Sequence, residues 1–144
     1  PGQGTFLRIE GFEGSVAYRA GRLRAVLAPW GEAREVPSPW AAIRDVAPLG
    51  GRSGDLWRIS TRPSLAAGLI ARIGADEVML DWGGALIWVL MPQGTDLRAR
   101  LGDFSGHATC LRGTPPDPVP PESPHLAELS NGLRQAFDPR GIFA

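Results

Sequence analysis

Short segments in which hydrophobic and polar residues alternate recur along this chain. The segment "LWRIST" (56–61) places Trp57 and Ile59 on one side of an extended backbone and Arg58 on the other. Alternation with a period of two is typical of a strand that has one buried face. On this pattern we predict strands over residues 6–12, 32–36, 56–61 and 107–113.

Two further strand-like runs flank a pair of glycines. The runs are "EVMLDW" (77–82) and "ALIWVLM" (85–91), and Gly83 and Gly84 stand between them. A Gly-Gly pair between two such runs is typical of a β-hairpin. The second run is apolar on both faces, which predicts a central position in the sheet.

Hydrophobic residues recur every three or four positions in other segments, which predicts amphipathic helices. We expect Ser15 to cap the first helix and Gly74 to end the third. The last helix carries an apolar stripe, and we expect Phe137 to be its last contact with the core. The predicted helices cover residues 15–28, 38–46, 63–74, 95–103 and 123–139.

The order of these elements predicts an α+β fold, with a mostly antiparallel sheet and helices packed on one face. A ferredoxin-like layout, single or doubled, fits the order best. At 144 residues the chain is long enough for one domain with its own core, so we predict a single domain over residues 1–144. The segment 114–124, in which six of eleven residues are proline, is expected to be an extended connector inside that domain.

Composition narrows the function classes. Lys plus Arg and Asp plus Glu number 15 each, and every basic residue is Arg. A zero net charge argues against a nucleic-acid partner, which would need a basic excess. The longest apolar run, residues 85–91, is too short to span a bilayer, so no transmembrane segment is expected. The single cysteine, Cys110, excludes an internal disulfide and fits a reducing compartment.

The motifs of several enzyme classes are missing from the sequence. It contains no Gly-rich phosphate loop ending in Lys, no His-Glu-x-x-His, no Cys-x-x-Cys and no Gly-x-Ser-x-Gly. The only histidines are His107 and His125. We therefore expect no metal site and no self-contained hydrolase.

One candidate site is the turn at Trp82, Gly83 and Gly84. Two glycines would let a ligand or another chain approach the backbone closely, and Trp82 would lie beside them. An ordinary hairpin turn with two core tryptophans, Trp82 and Trp88, explains the same residues and is the more common case.

A second set of candidates lies on predicted strands. His107 could act as a base, and Arg112 and Arg58 could each hold a carboxylate. Strand alternation puts His107 and Arg112 on opposite faces unless a bulge intervenes. The alternative for each is an ordinary surface residue, and for Arg58 a salt bridge to Asp81 on a neighbouring strand.

Five segments together resemble a known family. "LRIEGFEGSVAYRAGRLRAVL", "LWRISTRPS", "MLDWGGALIWV", "GHATCLR" and "LRQAFDPRGIF" occur in the order and at about the spacing found in the C-terminal half of the FAD-binding subunit of glycolate oxidase. The likeness extends over nearly the whole chain. That family belongs to the wider group of FAD-linked oxidases similar to vanillyl-alcohol oxidase.

The resemblance implies that this chain is the cap domain, which covers the flavin and walls the substrate pocket. A 2-hydroxy acid would pass a hydride to the flavin while a base removes the hydroxyl proton. FAD would be held mainly by an N-terminal domain that these residues do not include. The matching motifs carry over His107 as a catalytic residue, Arg58 and Arg112 as substrate-binding residues, and Trp82, Gly83 and Gly84 as cofactor-binding residues.

The implied partners are the chain's own FAD-binding domain, a second flavin subunit and an iron–sulfur subunit. The implied location is the cytoplasm, or the inner membrane through those partners. The chain alone is then expected to be inactive, since it is one part of a FAD-dependent enzyme. The alternative is a stand-alone ferredoxin-like module that binds a small effector or a protein without catalysis. It predicts no large apolar face left exposed, whereas a cap predicts one.

Overall fold

The structure, a computed structural model, describes residues 4–75, 77–115 and 117–143. The chain divides into two compact units, Pro1–Gly50 and Gly51–Ala144. All strands within the described ranges belong to the second unit. That the two units form one domain stays a prediction.

Helices are the regular structure of the first unit. The first of them begins at Glu13, two residues before the predicted cap Ser15, so that position was wrong. Phe12 is the extended residue before the helix, and its carbonyl accepts a hydrogen bond from the Val16 N–H at 2.9 Å. Glu13 puts a negative charge in the first turn, where the helix dipole favours it. The helices are α1 (Glu13–Leu27), α2 (Trp40–Arg44) and α3 (Ala47–Gly50).

The strands predicted at residues 6–12 and 32–36 do not form, and that prediction was wrong. Alternation indicates which side chains could share a face, but a strand also needs a neighbouring backbone to take its hydrogen bonds. The described part of the first unit supplies none. The 32–36 segment is instead linked to α1 through a side chain, because the Arg24 guanidinium donates to the Glu35 carboxylate at 2.6 Å.

The second unit consists of six elements in the order strand, helix, strand, strand, helix, strand, followed by a last helix. The six are β1 (Asp55–Thr61), α4 (Ala66–Ile73), β2 (Val78–Asp81), β3 (Leu86–Met91), α5 (Leu97–Leu101) and β4 (Gly106–Arg112). The strands form one antiparallel sheet in the order β2-β3-β1-β4. This is the ferredoxin-like topology, and the predicted α+β class is confirmed. The described residues hold one such set of elements, so a doubled layout is not formed by them.

The core lies between the sheet and the two helices α4 and α5. Both helices present buried leucine or isoleucine side chains to one face of the sheet. Each side chain buried there stabilises the fold by about 1.5–3 kcal/mol. The helices contribute Leu69, Ile73, Leu97 and Leu101, and the central strands contribute Trp57, Ile59, Ile87 and Val89.

The predicted hairpin is confirmed. β2 and β3 pair antiparallel and are joined by a 3-10 turn at Trp82–Gly84. β3 lies between β2 and β1, so its predicted central position is also confirmed. A strand in that position has neighbours on both edges, and its residues Ile87 and Val89 lie in the core on one face.

The last helix, α6 (Pro124–Phe137), starts where the sequence predicts but does not enter the core. None of its residues is buried, and Phe137 is 81% exposed, so the expected core contact was wrong. The "α6 stripe" denotes its exposed apolar residues Leu126, Leu129, Leu133 and Phe137. Periodicity predicted the stripe correctly. It could not predict whether the stripe is buried, because spacing alone does not reveal what, if anything, lies against it.

The connector at 114–124 has no helix or strand in its described residues before Pro124, where α6 begins. It contacts the free edge of β4, where the Pro118 carbonyl accepts a hydrogen bond from the Cys110 N–H at 2.8 Å. Arg98 of α5 holds the same segment, because its guanidinium donates to the Ala108 carbonyl at 3.0 Å and to the Asp117 carbonyl at 2.7 Å. The connector therefore covers part of an edge that would otherwise expose unpaired backbone groups.

Candidate functional site on the distal face of the sheet

The sheet has two chemically different faces. One packs against α4 and α5 and carries the buried side chains of Trp57 and Ile59. The other, which we name the distal face, carries the residues that alternate with them. On β1 these include Arg58 and Ser60, both half-buried, in agreement with the sequence pattern. The candidate residue Arg58 therefore lies on the distal face.

A β-bulge changes which residues of β4 reach the distal face. Trp57 is paired with Cys110, but the next residue of β1, Leu56, is paired with Arg112, so Leu111 is the extra residue. A bulge shifts the alternation of one strand by one residue. Arg112 consequently lies on the distal face together with His107. A bulge was the one condition under which the sequence allowed these two residues to act together.

The three predicted residues on strands, Arg58, His107 and Arg112, thus share one face. Arg58 is paired with Thr109, whereas His107 is paired with Ser60 in the neighbouring row. Diagonal neighbours on one face of an antiparallel pair are about 7–8 Å apart at their Cα atoms. A small ligand over Arg58 could therefore be reached by the side chains on either side.

Arg58 occupies the centre of the distal face. Its ladder partners are Trp88 on β3 and Thr109 on β4. The Arg58 Nε is buried and has no hydrogen-bond partner. A buried donor without an acceptor costs about 1–3 kcal/mol. An anion supplied from outside the chain would remove that cost.

The salt bridge between Arg58 and Asp81 is absent from the ion pairs of the described residues. β2, which carries Asp81, is not the neighbour of β1, because β3 lies between them. The Asp81 Oδ1 accepts a hydrogen bond from the Trp82 N–H at 2.7 Å. The predicted salt bridge depended on the order of the strands, which a local sequence pattern cannot supply.

Arg112 and His107 differ in how they are held. The Arg112 guanidinium donates from Nη2 to the Arg52 carbonyl at 2.7 Å, which fixes its position beside the sheet. The His107 side chain is exposed and makes no hydrogen bond or ion pair with the described residues. His107 is thus accessible to a ligand, while Arg112 is a held cation at the rim.

The turn at Trp82–Gly84 lies at the end of the sheet where β1 ends. There the Thr61 N–H donates to the Ala85 carbonyl at 2.9 Å, and the Thr61 hydroxyl donates to the Ser105 carbonyl at 2.9 Å. β4 starts at the same end, so the turn and His107 lie at one end of the sheet. Two of the predicted sites are therefore near each other along the strand direction.

Trp82 has an unusual backbone. Its φ is 52°, in the left-handed region that residues with a side chain rarely adopt, and its indole is 70% exposed. It is therefore not a core residue, as the simple hairpin alternative had it. A strained position that displays a large aromatic side chain is typical of recognition sites.

The two glycines of the turn have different surroundings. A Cβ on Gly83, whose φ is 64°, would meet nothing within 4 Å. A Cβ on Gly84 would lie 3.4 Å from the Ala66 Cβ and 3.6 Å from the Pro63 carbonyl oxygen. The close backbone approach at Gly84 is thus made by the chain itself, and space for an external group lies at Gly83 and Trp82.

The sequence alone did not reveal which face of the sheet carries Trp88. Alternation alone leaves open which side of a fully apolar strand faces the helices. The ladder settles this, because Trp88 is paired with Arg58 and with Met79 and so lies on the distal face between them. In the sequence, Arg58 marks the polar side of β1. Assigning Trp88 to that same side also requires knowing that β1 and β3 are neighbours in the sheet.

Other chemistry finds no support in the described ranges. They contain no group of three or more His, Cys, Asp or Glu side chains that could hold a metal ion. They also contain no helix long and apolar enough to cross a membrane. Burial, with a contribution from the nearby Asp55 charge, raises the pKa of the Cys110 thiol, which opposes a nucleophilic role.

No family model, no curated protein and no solved structure matches this chain. The fold and the arrangement of the distal face are therefore the basis for assigning a function.

Proposed function

We propose that this chain is the cap of a flavin-dependent oxidoreductase that acts on 2-hydroxy acids such as glycolate. The observation that carries the proposal is the bulge in β4, which places Arg58, His107 and Arg112 on one face of the sheet. Two cations and a titratable base are the groups that a hydroxy acid needs. The five sequence segments similar to glycolate oxidase FAD-binding subunits support the same function.

Each of these residues has a defined part in the proposed reaction. Arg58 binds the substrate carboxylate through its guanidinium, and Arg112 adds positive charge at the rim. His107 accepts the proton of the substrate hydroxyl group. The carbon that bears the hydroxyl loses a hydride and becomes a carbonyl carbon, so the 2-hydroxy acid is oxidised to the 2-oxo acid. FAD, when bound, supplies the hydride acceptor.

The residues at the turn fit the flat part of that cofactor only. The exposed Trp82 indole and the open space at Gly83 suit an aromatic ring system. No Gly-rich loop of the kind that holds a pyrophosphate occurs in the sequence. We therefore assign the binding of FAD mainly to an N-terminal domain, with this chain covering the ring.

The exposed α6 stripe favours the cap over the stand-alone module. Leu129 is 65% exposed and Phe137 is 81% exposed, so the helix offers an exposed apolar surface. Such surfaces are typical of protein contacts. In the proposed enzyme the contacts are the FAD-binding domain, a second flavin subunit and an iron–sulfur subunit, and the complex works in the cytoplasm or at the inner membrane.

Anaerobic flavin bleaching tests this function. The subunit that joins this chain to its FAD-binding domain is mixed with glycolate and other 2-hydroxy acids, and the flavin absorbance is followed. We expect Arg58→Gln to raise KM and His107→Gln to lower kcat, while the exposed Arg22→Gln on α1 changes neither. Failure of every 2-hydroxy acid to bleach the flavin would refute the proposal. So would turnover by these 144 residues alone with added FAD.

A further inference from the structure

The distal face is divided into a polar half and an apolar half. β4 and the part of β1 from Arg58 onward contribute the polar half, and β3 with the start of β1 and the adjoining part of β2 contributes the apolar half. The polar side chains are Arg58, Ser60, His107, Thr109 and Arg112. The apolar ones are Leu56, Met79, Leu86, Trp88 and Leu90, of which Leu56 and Leu86 are buried. Asp81, the acidic residue of β2, is engaged with the Trp82 N–H.

The boundary between the halves runs between Arg58 and Trp88. The two residues are directly paired on neighbouring strands. Paired side chains on one face have Cβ atoms about 4.5–5.5 Å apart. A single small ligand can therefore contact a guanidinium and an indole at the same time.

Arg58 is suited to bind an anion at this boundary. Its Nε is buried without an acceptor, and none of the ion pairs among the described residues includes it. Thr109, its partner on β4, offers a hydroxyl group but no negative charge. The planar guanidinium presents parallel N–H groups that match the two oxygens of a carboxylate.

Trp88 is suited to bind an apolar group next to that anion. Trp88 is half-buried and has Met79 as its partner on the far side, so the surface beyond Arg58 is apolar for two strands. An aromatic side chain recognises a flat or branched apolar group by burial and stacking. Glycolate, which has no side chain, would fill the polar half and leave the apolar half empty.

We propose that the distal face binds a monocarboxylate that carries an aryl or branched alkyl group, with the carboxylate on Arg58 and the apolar group on Trp88. This rests on the proposed function in one respect: as a substrate, the ligand is a 2-hydroxy acid larger than glycolate. As a binding site, it depends only on the chain described above.

Calorimetric titration of the 144-residue chain with phenylacetate, acetate and 2-phenylethanol tests the site directly. Phenylacetate has both groups, and each of the others lacks one. We expect phenylacetate to bind at least about ten-fold more tightly than either, since a lost ion pair or a lost apolar contact each weakens binding by that order. Equal affinity for acetate and phenylacetate would overturn the apolar half of the proposal.

Variants assign the two contacts. Arg58→Gln is expected to weaken phenylacetate binding by about ten-fold or more, and Trp88→Leu to reduce its advantage over acetate to about two-fold or less. Arg22→Gln and Trp30→Leu, both at exposed positions of the first unit, are matched controls that should bind as the wild type does. Unchanged binding by folded Arg58→Gln would overturn the carboxylate contact.

A second measurement covers the case in which Arg58→Gln does not fold. Arg58→Lys keeps the positive charge but lacks the planar fork, so it should bind with intermediate affinity. In the wild type, two-dimensional NMR should show phenylacetate shifting the Arg58 Nε–H and the Trp88 indole signals while the Trp30 indole signal stays in place. Shifts confined to other residues would contradict the site.

The outcomes separate this inference from the proposed function. If phenylacetate binds at Arg58 and Trp88 but no 2-hydroxy acid bleaches the flavin of the full subunit, the site stands and the proposed function fails. If glycolate alone bleaches the flavin, 3-phenyllactate does not, and phenylacetate does not bind, the function stands and this inference fails.

Discussion

Gly106 determines at the level of one residue where β4 can begin. Its φ is 153°, and a Cβ added there would lie 2.1 Å from the Ser60 carbonyl oxygen and 2.7 Å from the Phe104 Cε2. The Ser60 oxygen belongs to the backbone of the neighbouring strand and cannot move aside without disturbing the ladder. The absence of a side chain at this position thus allows the first rung next to His107 to form.

Gly106→Ala is therefore expected to destabilise the second unit by more than about 2 kcal/mol, through strained backbone and overlap. The matched control is Gly68→Ala in α4, where a Cβ meets nothing within 4 Å. That change should stabilise the unit by about 0.4–1 kcal/mol, since it reduces the freedom of the unfolded chain. Urea denaturation measures both, and equal effects would contradict the argument.

Asp138 organises the residues after α6. Its Oδ1 accepts from the Ile142 N–H and its Oδ2 from the Phe143 N–H, each at 2.8 Å. These bonds, first that from Phe143 and then that from Ile142, lower the pKa of the Asp138 carboxyl. The carboxylate form therefore holds a turn that displays two apolar side chains.

The turn should respond to pH in a defined direction. Because the folded pKa is lowered, the contribution of Asp138 is complete above the ordinary carboxyl pKa and is lost as the pH falls through the lowered value. We expect NMR to show that the protection of the Ile142 and Phe143 amides, taken relative to the intrinsic exchange rate at each pH, falls at acid pH. Asp138→Asn should show low protection at every pH, and a pH-dependent loss of protection that survives in this variant would exclude Asp138 as its cause.

At the scale of elements, the helices α4 and α6 have similar amphipathic patterns, but only α4 has buried residues. Leu69 of α4 is buried against the sheet, whereas Leu129 of α6 is exposed. Leu69→Ala is expected to cost about 2–5 kcal/mol, and Leu129→Ala to change stability by less than about 0.5 kcal/mol. Chemical denaturation of both variants is the measurement, and a large loss for Leu129→Ala would mean that α6 packs on the core.

The edge of β4 depends on a side chain from another element. Arg98 lies with its guanidinium carbon 5.2 Å from the centroid of the Trp57 ring and donates to two carbonyl groups along the edge. Arg98→Met keeps the aliphatic contact but removes these bonds, and it should cost about 1–3 kcal/mol. Hydrogen exchange at the Cys110 amide should rise at the same time.

The control for that variant is Arg134→Met on α6, whose guanidinium has only a 3.4 Å contact with the Asn131 side chain. It should alter neither stability nor exchange at Cys110. If both variants behave alike, the connector is held by something other than Arg98.

At the scale of the whole molecule, exposed aromatic and aliphatic side chains are numerous for a chain of this length. They occur in both units, at Phe12 and Trp30 in the first and along the α6 stripe in the second. The chain alone is therefore expected to bind a hydrophobic dye strongly. If the proposed function holds, the subunit that joins it to a FAD-binding domain should bind less dye per chain. Equal dye binding would count against docking through these surfaces.

The local features of the second unit were predictable because they depend on neighbours in sequence. The Gly-Gly turn, the alternation in β1 and the helical periodicity of α4 each express a backbone preference over a few residues. The same reasoning failed at residues 6–12, where alternation is present but no partner strand pairs with it. A strand is a property of two segments, so one segment cannot determine it.

The candidate residues could be named from the sequence, but their arrangement could not. The residue types offered Arg58 and Arg112 as candidates for carboxylate binding and His107 as a candidate base, each beside the alternative of an ordinary surface residue. That His107 and Arg112 share a face depends on the bulge opposite Leu56 and Trp57. That Arg58 meets Trp88, and does not meet Asp81, depends on the order of the strands.

The sequence by itself determined the α+β class and most of the helices and strands of the second unit, because these follow from short-range periodicity. Only the tertiary structure decided the strand order, the bulge, the exposure of α6 and the position of Trp88. Each of these depends on backbone hydrogen bonds and packing between segments far apart in the chain. The free energy of such contacts depends on both segments, so the local sequence of either segment cannot determine it.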